Sequence, residues 1–182
     1  GNPIRDSELT QTVKAVRDAM NEEFPGPMSV MKWIEDEVSK ALARGVTELQ
    51  WTTPSGFIVN QKLMKKNIQR LTLQLLGECR LHVATSDTDE ADKARNKAAT
   101  APNLIHSLDA SLLHIATIRF KNPIAVIHDS VLCRATDMTI LSTLVRETYM
   151  HLFTKHDTDY LQSFANQIGA ETKPPIIGDL EP

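Results

Sequence analysis

The stretch Ile124-Ala125-Val126-Ile127-His128-Asp129-Ser130-Val131-Leu132-Cys133 restricts the fold more than any other part of the chain. Two β-branched apolar runs flank three polar residues, which predicts a short hairpin with His128, Asp129 and Ser130 at its bend. An ionised carboxylate beside strands that seek burial is costly unless it is solvated, paired or bound to a metal. Asp129 is therefore either a turn residue, a role that Asp and Ser both fill, or a ligand.

Helices and further hairpins surround this stretch. Leu9, Val13, Val16, Ala19 and Met20 recur at helical spacing over 6–24, and Phe24-Pro25-Gly26-Pro27 ends that helix. Met28, Met31, Trp33, Ile34, Val38 and Leu42 predict a helix over 28–43, closed by Gly45. Leu49–Thr52 and Phe57–Gln61 should pair about a turn at Pro54-Ser55-Gly56. Asn67–Leu76 and Cys79–Thr85 then predict a β-ribbon with one basic and polar face. Ser86–Glu90 reads as an acidic turn that caps a helix over 89–100. Pro102 reads as the start of another, mostly buried helix striped by Leu104, Ile105, Leu108, Leu112, Ile115 and Ile118. Asp137 opens a helix, 158–169 holds a last one, and Lys173–Gly178 is extended.

Composition narrows the classes of function. An apolar fraction of 41% supports a core, and no run approaches the ~20 apolar residues of a membrane span. Cys79 and Cys133 form no disulfide framework and read as packing residues, which suits a reducing, intracellular setting. The net charge of −3 argues against a uniformly basic nucleic-acid binder. Yet Lys62, Lys65, Lys66, Arg70 and Arg80 face only Glu78 between Lys62 and Val83, so positive charge gathers on the ribbon. No Cys-x-x-Cys, His-Glu-x-x-His or P-loop spacing supports a zinc or Walker-type site. His106 and Asp109 lie three apart on one helix face, as a local His–Asp hydrogen bond or as a working pair.

Four motifs occur in a telling order: Trp51-Thr52-Thr53-Pro54-Ser55-Gly56-Phe57; Leu76-Gly77-Glu78-Cys79-Arg80-Leu81; Ala101-Pro102-Asn103-Leu104-Ile105-His106-Ser107-Leu108-Asp109-Ala110; and Ile127-His128-Asp129-Ser130. Together with Arg70-Leu71 and Arg146-Glu147-Thr148, they resemble the C-terminal part of the phage-type, single-subunit DNA-directed RNA polymerases, which include mitochondrial enzymes. Related DNA polymerases usually carry Glu where this chain has Ser130. Ile58, Leu63, Leu112 and Val131 depart from the family pattern at positions that read as packed.

The resemblance implies an α+β fold of helices packed on short antiparallel hairpins, the C-terminal part of a right-hand polymerase with a protruding β-ribbon. Within one fragment spanning 1–182, it implies fingers-side helices and a hairpin over 1–66, a specificity ribbon over 67–85 and palm-side elements over 86–182. Asp129 would be the second metal-binding aspartate, holding Mg²⁺ beside His128. His106 would meet the template and primer end, with Asp109 steadying its helix. Arg70, Thr72, Arg80 and His82 match the positions that read promoter bases. The implied partners are double-stranded promoter DNA, the template strand, nascent RNA and ribonucleoside triphosphates, with no membrane. The first metal-binding aspartate and the nucleotide-binding helix lie upstream in the family. The chain is accordingly expected to be a fragment or half of a split enzyme, inactive alone and working inside a cell, in the host cytoplasm if phage-encoded. The rival readings are a non-catalytic DNA-binding module and a piece of a related DNA polymerase.

Overall fold

The computed structural model describes residues 6–73, 79–154 and 160–175. Helices α1 (Asp6–Glu23) and α2 (Pro25–Ala43) lead into strands β1 (Leu49–Thr52), β2 (Ile58–Gln61), β3 (Met64–Leu73) and β4 (Cys79–Ala91). Helix α3 (Lys93–Arg119), strands β5 (Ile124–Ile127) and β6 (Ser130–Cys133), and helices α4 (Met138–Thr154) and α5 (Tyr160–Ile168) follow. The strands form three separate two-stranded antiparallel sheets, β1–β2, β3–β4 and β5–β6. This mixture of helices and short hairpins is compatible with an α+β fold.

Local chemistry sets the junctions. Pro25 and Pro27 occupy the first turn of α2, where a missing N–H breaks no helical bond, so Phe24 alone separates α1 from α2. Gly45 takes the left-handed conformation at φ +93°. Its N–H donates to Leu42 O, and the N–H of Val46 reaches back to Ala41 O, satisfying two terminal carbonyls of α2. In the β1–β2 turn Gly56 N–H donates to Thr53 O at 2.8 Å, with Gly56 at φ +83°.

Several sequence expectations need correction. Ser86–Glu90 belongs to β4, not to a capping turn, because Asp87 and Ser86 pair with Lys66 and Asn67 and Lys65 Nζ meets Glu90 Oε1 at 2.6 Å. The cap of α3 is instead Asp92, whose carboxylate accepts from Arg95 N–H at 3.0 Å. Pro102 lies inside this continuous helix. Its missing bond would have gone to Ala98 O, and both residues are exposed, so water can serve that carbonyl. The apolar stripe of α3 is only partly buried: Leu104 is buried and Leu108, Leu112 and Ile115 half-buried, but Ile105 is 49% and Ile118 71% exposed. The buried line holds Asn96, Thr100, Leu104, Ser107 and Ser111. Positions 74–76 of the predicted ribbon, 158–159 of the last helix and 176–178 of the tail lie outside the described residues.

The core joins α2 (Ile34, Val38, Ala41, Leu42), β1 (Leu49, Trp51), α3 (Ala101, Leu104) and α5 (Phe164, Ile168). Trp51 meets Phe164 edge-on, with ring centroids 5.6 Å apart. At its far end α3 is tied to α4 by Arg119 Nη1, which donates to the buried Thr148 Oγ1 at 3.0 Å. The β5–β6 hairpin is the connection between those two anchored helices.

Candidate active site and nucleic-acid interface

Ile127 pairs directly with Ser130, so the bend of the β5–β6 hairpin contains only His128 and Asp129. Ser130, expected at the bend, is the first residue of β6. Among the described residues His128 is the one non-glycine with positive φ, at +54°. A left-handed first loop position has the sign pattern of a type II′ turn, where glycine is usual, and costs a side-chain-bearing residue on the order of 1 kcal/mol. Such strain at a tip is more common at working sites than in plain connections.

Asp129 is exposed at this tip. Its Oδ1 accepts from Ser130 Oγ at 3.5 Å. A carboxylate with open lone pairs is a suitable ligand for a hard cation such as Mg²⁺. It would be only one ligand: among the described residues no group of three His, Cys, Asp or Glu side chains could hold a metal ion. Asp129 fits as a contribution to a site completed by other residues. Behind the bend, Val131 and Leu132 border a cavity of about 400 Å³ with Leu141, Val145 and Arg146 of α4. Arg134 Nε donates to Asp137 Oδ2 at 2.8 Å and fixes the exit of the hairpin into α4.

His106 and Asp109 are both exposed on α3, and no hydrogen bond joins them. His106 lines a separate apolar cavity of about 710 Å³ with Met31, Ile105, Phe153 and Tyr160. The hydroxyl of Tyr160 is pushed upward in pKa by burial, partly offset by its hydrogen bond with Ser107. Asp129 is not among the residues that line the cavity beside His106.

The ribbon residues do come together. Arg70 stands opposite His82, and Thr72 opposite Arg80. Because cross-strand partners and alternate residues share a face, positions 70, 72, 80 and 82 occupy one side of the ribbon. Arg70, Thr72 and His82 are exposed; of Arg80 the backbone alone is described. Register shifts between Met64 and Lys66 and between Asn67 and Ile68 mark bulges at the ribbon base, which strengthen local twist.

Sequence reasoning missed the polar line on α3 that faces the β1–β2 hairpin. Its signal was available as polar residues at three- and four-residue intervals from Asn96 to His114. Hydrophobic periodicity does not register such a line.

The family model of the DNA-dependent RNA polymerases matches residues 6–177. The chain belongs to this family, in its phage-type branch. It is 31% identical over 169 residues to the DNA-directed RNA polymerase of Pseudomonas phage phiKMV, covering 91% of this chain and 20% of that protein. The enzyme of Enterobacteria phage K11 is 30% identical, covering 88% of this chain and 19% of the phage protein. DNA-directed RNA polymerase 2, chloroplastic/mitochondrial, of Arabidopsis thaliana is also 30% identical, over 92% of this chain and 17% of its own length. The chain thus spans about a fifth of the length of the curated relatives it matches. No described helix is long and apolar enough to cross a membrane.

Proposed function

We propose that the chain is the C-terminal catalytic portion of a DNA-directed RNA polymerase, supplying one metal-binding carboxylate and a promoter-reading ribbon. On this reading residues 1–66 are fingers-side elements, 67–85 the specificity ribbon and 86–182 the palm side. Template-directed nucleotidyl transfer belongs to the whole polymerase. The remaining ligands and the nucleotide-binding cations come from its other parts, in the same or another chain, and this chain makes no RNA alone. The observation that carries the reading is the two-residue bend, whose strained His128 sets Asp129 at an exposed tip in a chain of this family.

Asp129 would hold Mg²⁺ with a carboxylate from outside the described residues. A bound metal pair stabilises charge on the attacking 3′ oxygen and on the leaving pyrophosphate. His128 sets the direction of Asp129 through its left-handed backbone. His106 contacts the template strand and the growing RNA end. The ribbon enters the major groove of the promoter duplex, where Arg70, Thr72, Arg80 and His82 present donors to base edges.

Asp129→Asn in the polymerase that contains this segment tests the assignment. Asn forms the same bends but lacks the charge that holds Mg²⁺ against its own hydration. Elongation should fall about 10³-fold or more, with promoter affinity held within about twofold. An Asp129→Asn polymerase that elongates within about tenfold of the parent would make Asp129 an ordinary turn residue.

A further inference from the structure

The β1–β2 hairpin grips α3 through a line of directional polar contacts. Gln61 Nε2 donates to Thr100 Oγ1 at 2.9 Å and to Asn96 O at 3.1 Å, while Asn103 Nδ2 donates to Gln61 Oε1 at 2.8 Å. Trp51 Nε1 donates to Ser107 Oγ at 3.1 Å. Ser55 Oγ lies 3.2 Å from both Ser111 Oγ and His114 Nδ1. On α3 these residues are spaced by three or four, hence stacked in one row.

This row joins two of the motif-bearing segments, Trp51–Phe57 and Ala101–Ala110, through buried side chains. His106 lies between Asn103 and Ser107, both of which are held by the hairpin. An apolar row of equal volume would hold α3 as firmly but would accept repacking after a small rotation or slide. A hydrogen-bonded row does not, because a slip of one residue leaves buried donors and acceptors unmatched. One residue of slip also turns the helix by about 100°, enough to carry His106 off its face.

We propose that Trp51 and Gln61 are positioning residues: their polar row with α3 fixes the rotation and axial setting of that helix, and so the direction in which His106 is presented to the nucleic acid. The inference rests on the reading of His106 as a template contact, and its test separates the two.

Trp51→Phe, Ser107→Ala and the double variant are made in the polymerase that contains this segment, with His106→Ala as the control. Trp51→Phe keeps the ring against Phe164 and removes the indole N–H. The double variant leaves neither member of the pair unmatched, so it should lose less stability than the two single losses combined, although the smaller ring and the freed Tyr160 hydroxyl still cost some. A purely structural role predicts that activity follows stability across the three variants. The positioning role predicts a KM for primer–template raised about fivefold or more with kcat within about twofold, and a crystal structure in which α3 is rotated or shifted. A double variant with parental α3 setting and parental KM overturns the proposal. A shifted α3 together with a parental KM in His106→Ala would instead uphold the positioning role and remove His106 from the nucleic-acid contact.

Discussion

Glu37 of α2 holds the segment after α5 in place, and its contribution to stability should depend on pH in a defined direction. The residue is 1% exposed. It accepts from Lys40 Nζ at 2.6 Å, Thr172 Oγ1 at 2.7 Å and the backbone N–H of Glu171 at 2.6 Å. Burial pushes the carboxyl upward, but the hydrogen bonds from Lys40, Thr172 and the Glu171 backbone outweigh it and bring the pKa from 4.5 to about 2. The same hydrogen bond raises Lys40. An unfolded chain keeps the ordinary Glu37 value and binds the proton more readily. The stabilisation is therefore complete above the unfolded pKa and is lost as pH falls from about 5 towards 2. A shift of this size corresponds to about 3 kcal/mol. Urea unfolding of the parent and of Glu37→Gln should differ by about that amount at pH 7 and by little near pH 2. An equal difference at both pH values would show that the charge of Glu37 is not what fastens the segment.

The ribbon register makes Arg70 and His82 direct neighbours, so their contributions to promoter choice should not be additive. A double-mutant cycle of Arg70→Ala and His82→Ala in promoter binding should give a coupling of about 0.5–3 kcal/mol, and strict additivity would place the two on separate base contacts. At the bend, His128→Gly relieves the left-handed strain and should stabilise the hairpin by about 1 kcal/mol in thermal unfolding. The same substitution should lower the elongation rate of the polymerase. Unchanged elongation would show that His128 does not direct Asp129.

The sequence revealed elements whose pattern and turn chemistry agree, and misled where a long-range partner decided. The β1–β2 and β5–β6 hairpins were legible because β-branched runs bracket Pro54-Ser55-Gly56 and His128-Asp129. Ser86–Glu90 looked like a turn because Ser and Asp are common there, but paired lysine-bearing strand opposite it keeps it extended. Pro102 looked like a start signal because nothing local reveals that its face is solvated. At the site, Asp129 was legible as a choice between turn and ligand. That His128 is the one non-glycine among the described residues with a left-handed φ, and that Ser130 stands in the strand, required the backbone and the register.

The exposed apolar side chains explain a further mismatch. Leu9, Val13, Val16 and Met20 form a helical stripe that the pattern marks for burial, yet all four are exposed on α1. Val126, Ile127 and Leu132 are likewise exposed on the hairpin that carries Asp129. A two-stranded hairpin with open apolar faces is marginal by itself and gains stability from a third strand or a packed helix. Hydrophobic spacing records the burial selected in a whole protein, and the relatives of this chain are about five times its length. On the proposed reading of the chain as part of a polymerase, these stripes are surfaces on which the remainder would pack. The polar row of α3, by contrast, is matched by Trp51, Ser55 and Gln61 within this chain. Hydrogen exchange should accordingly protect α3 and the β1–β2 hairpin equally in this chain and in the whole polymerase, and the Asp129 hairpin more in the polymerase; equal protection of that hairpin in both would refute the packing reading.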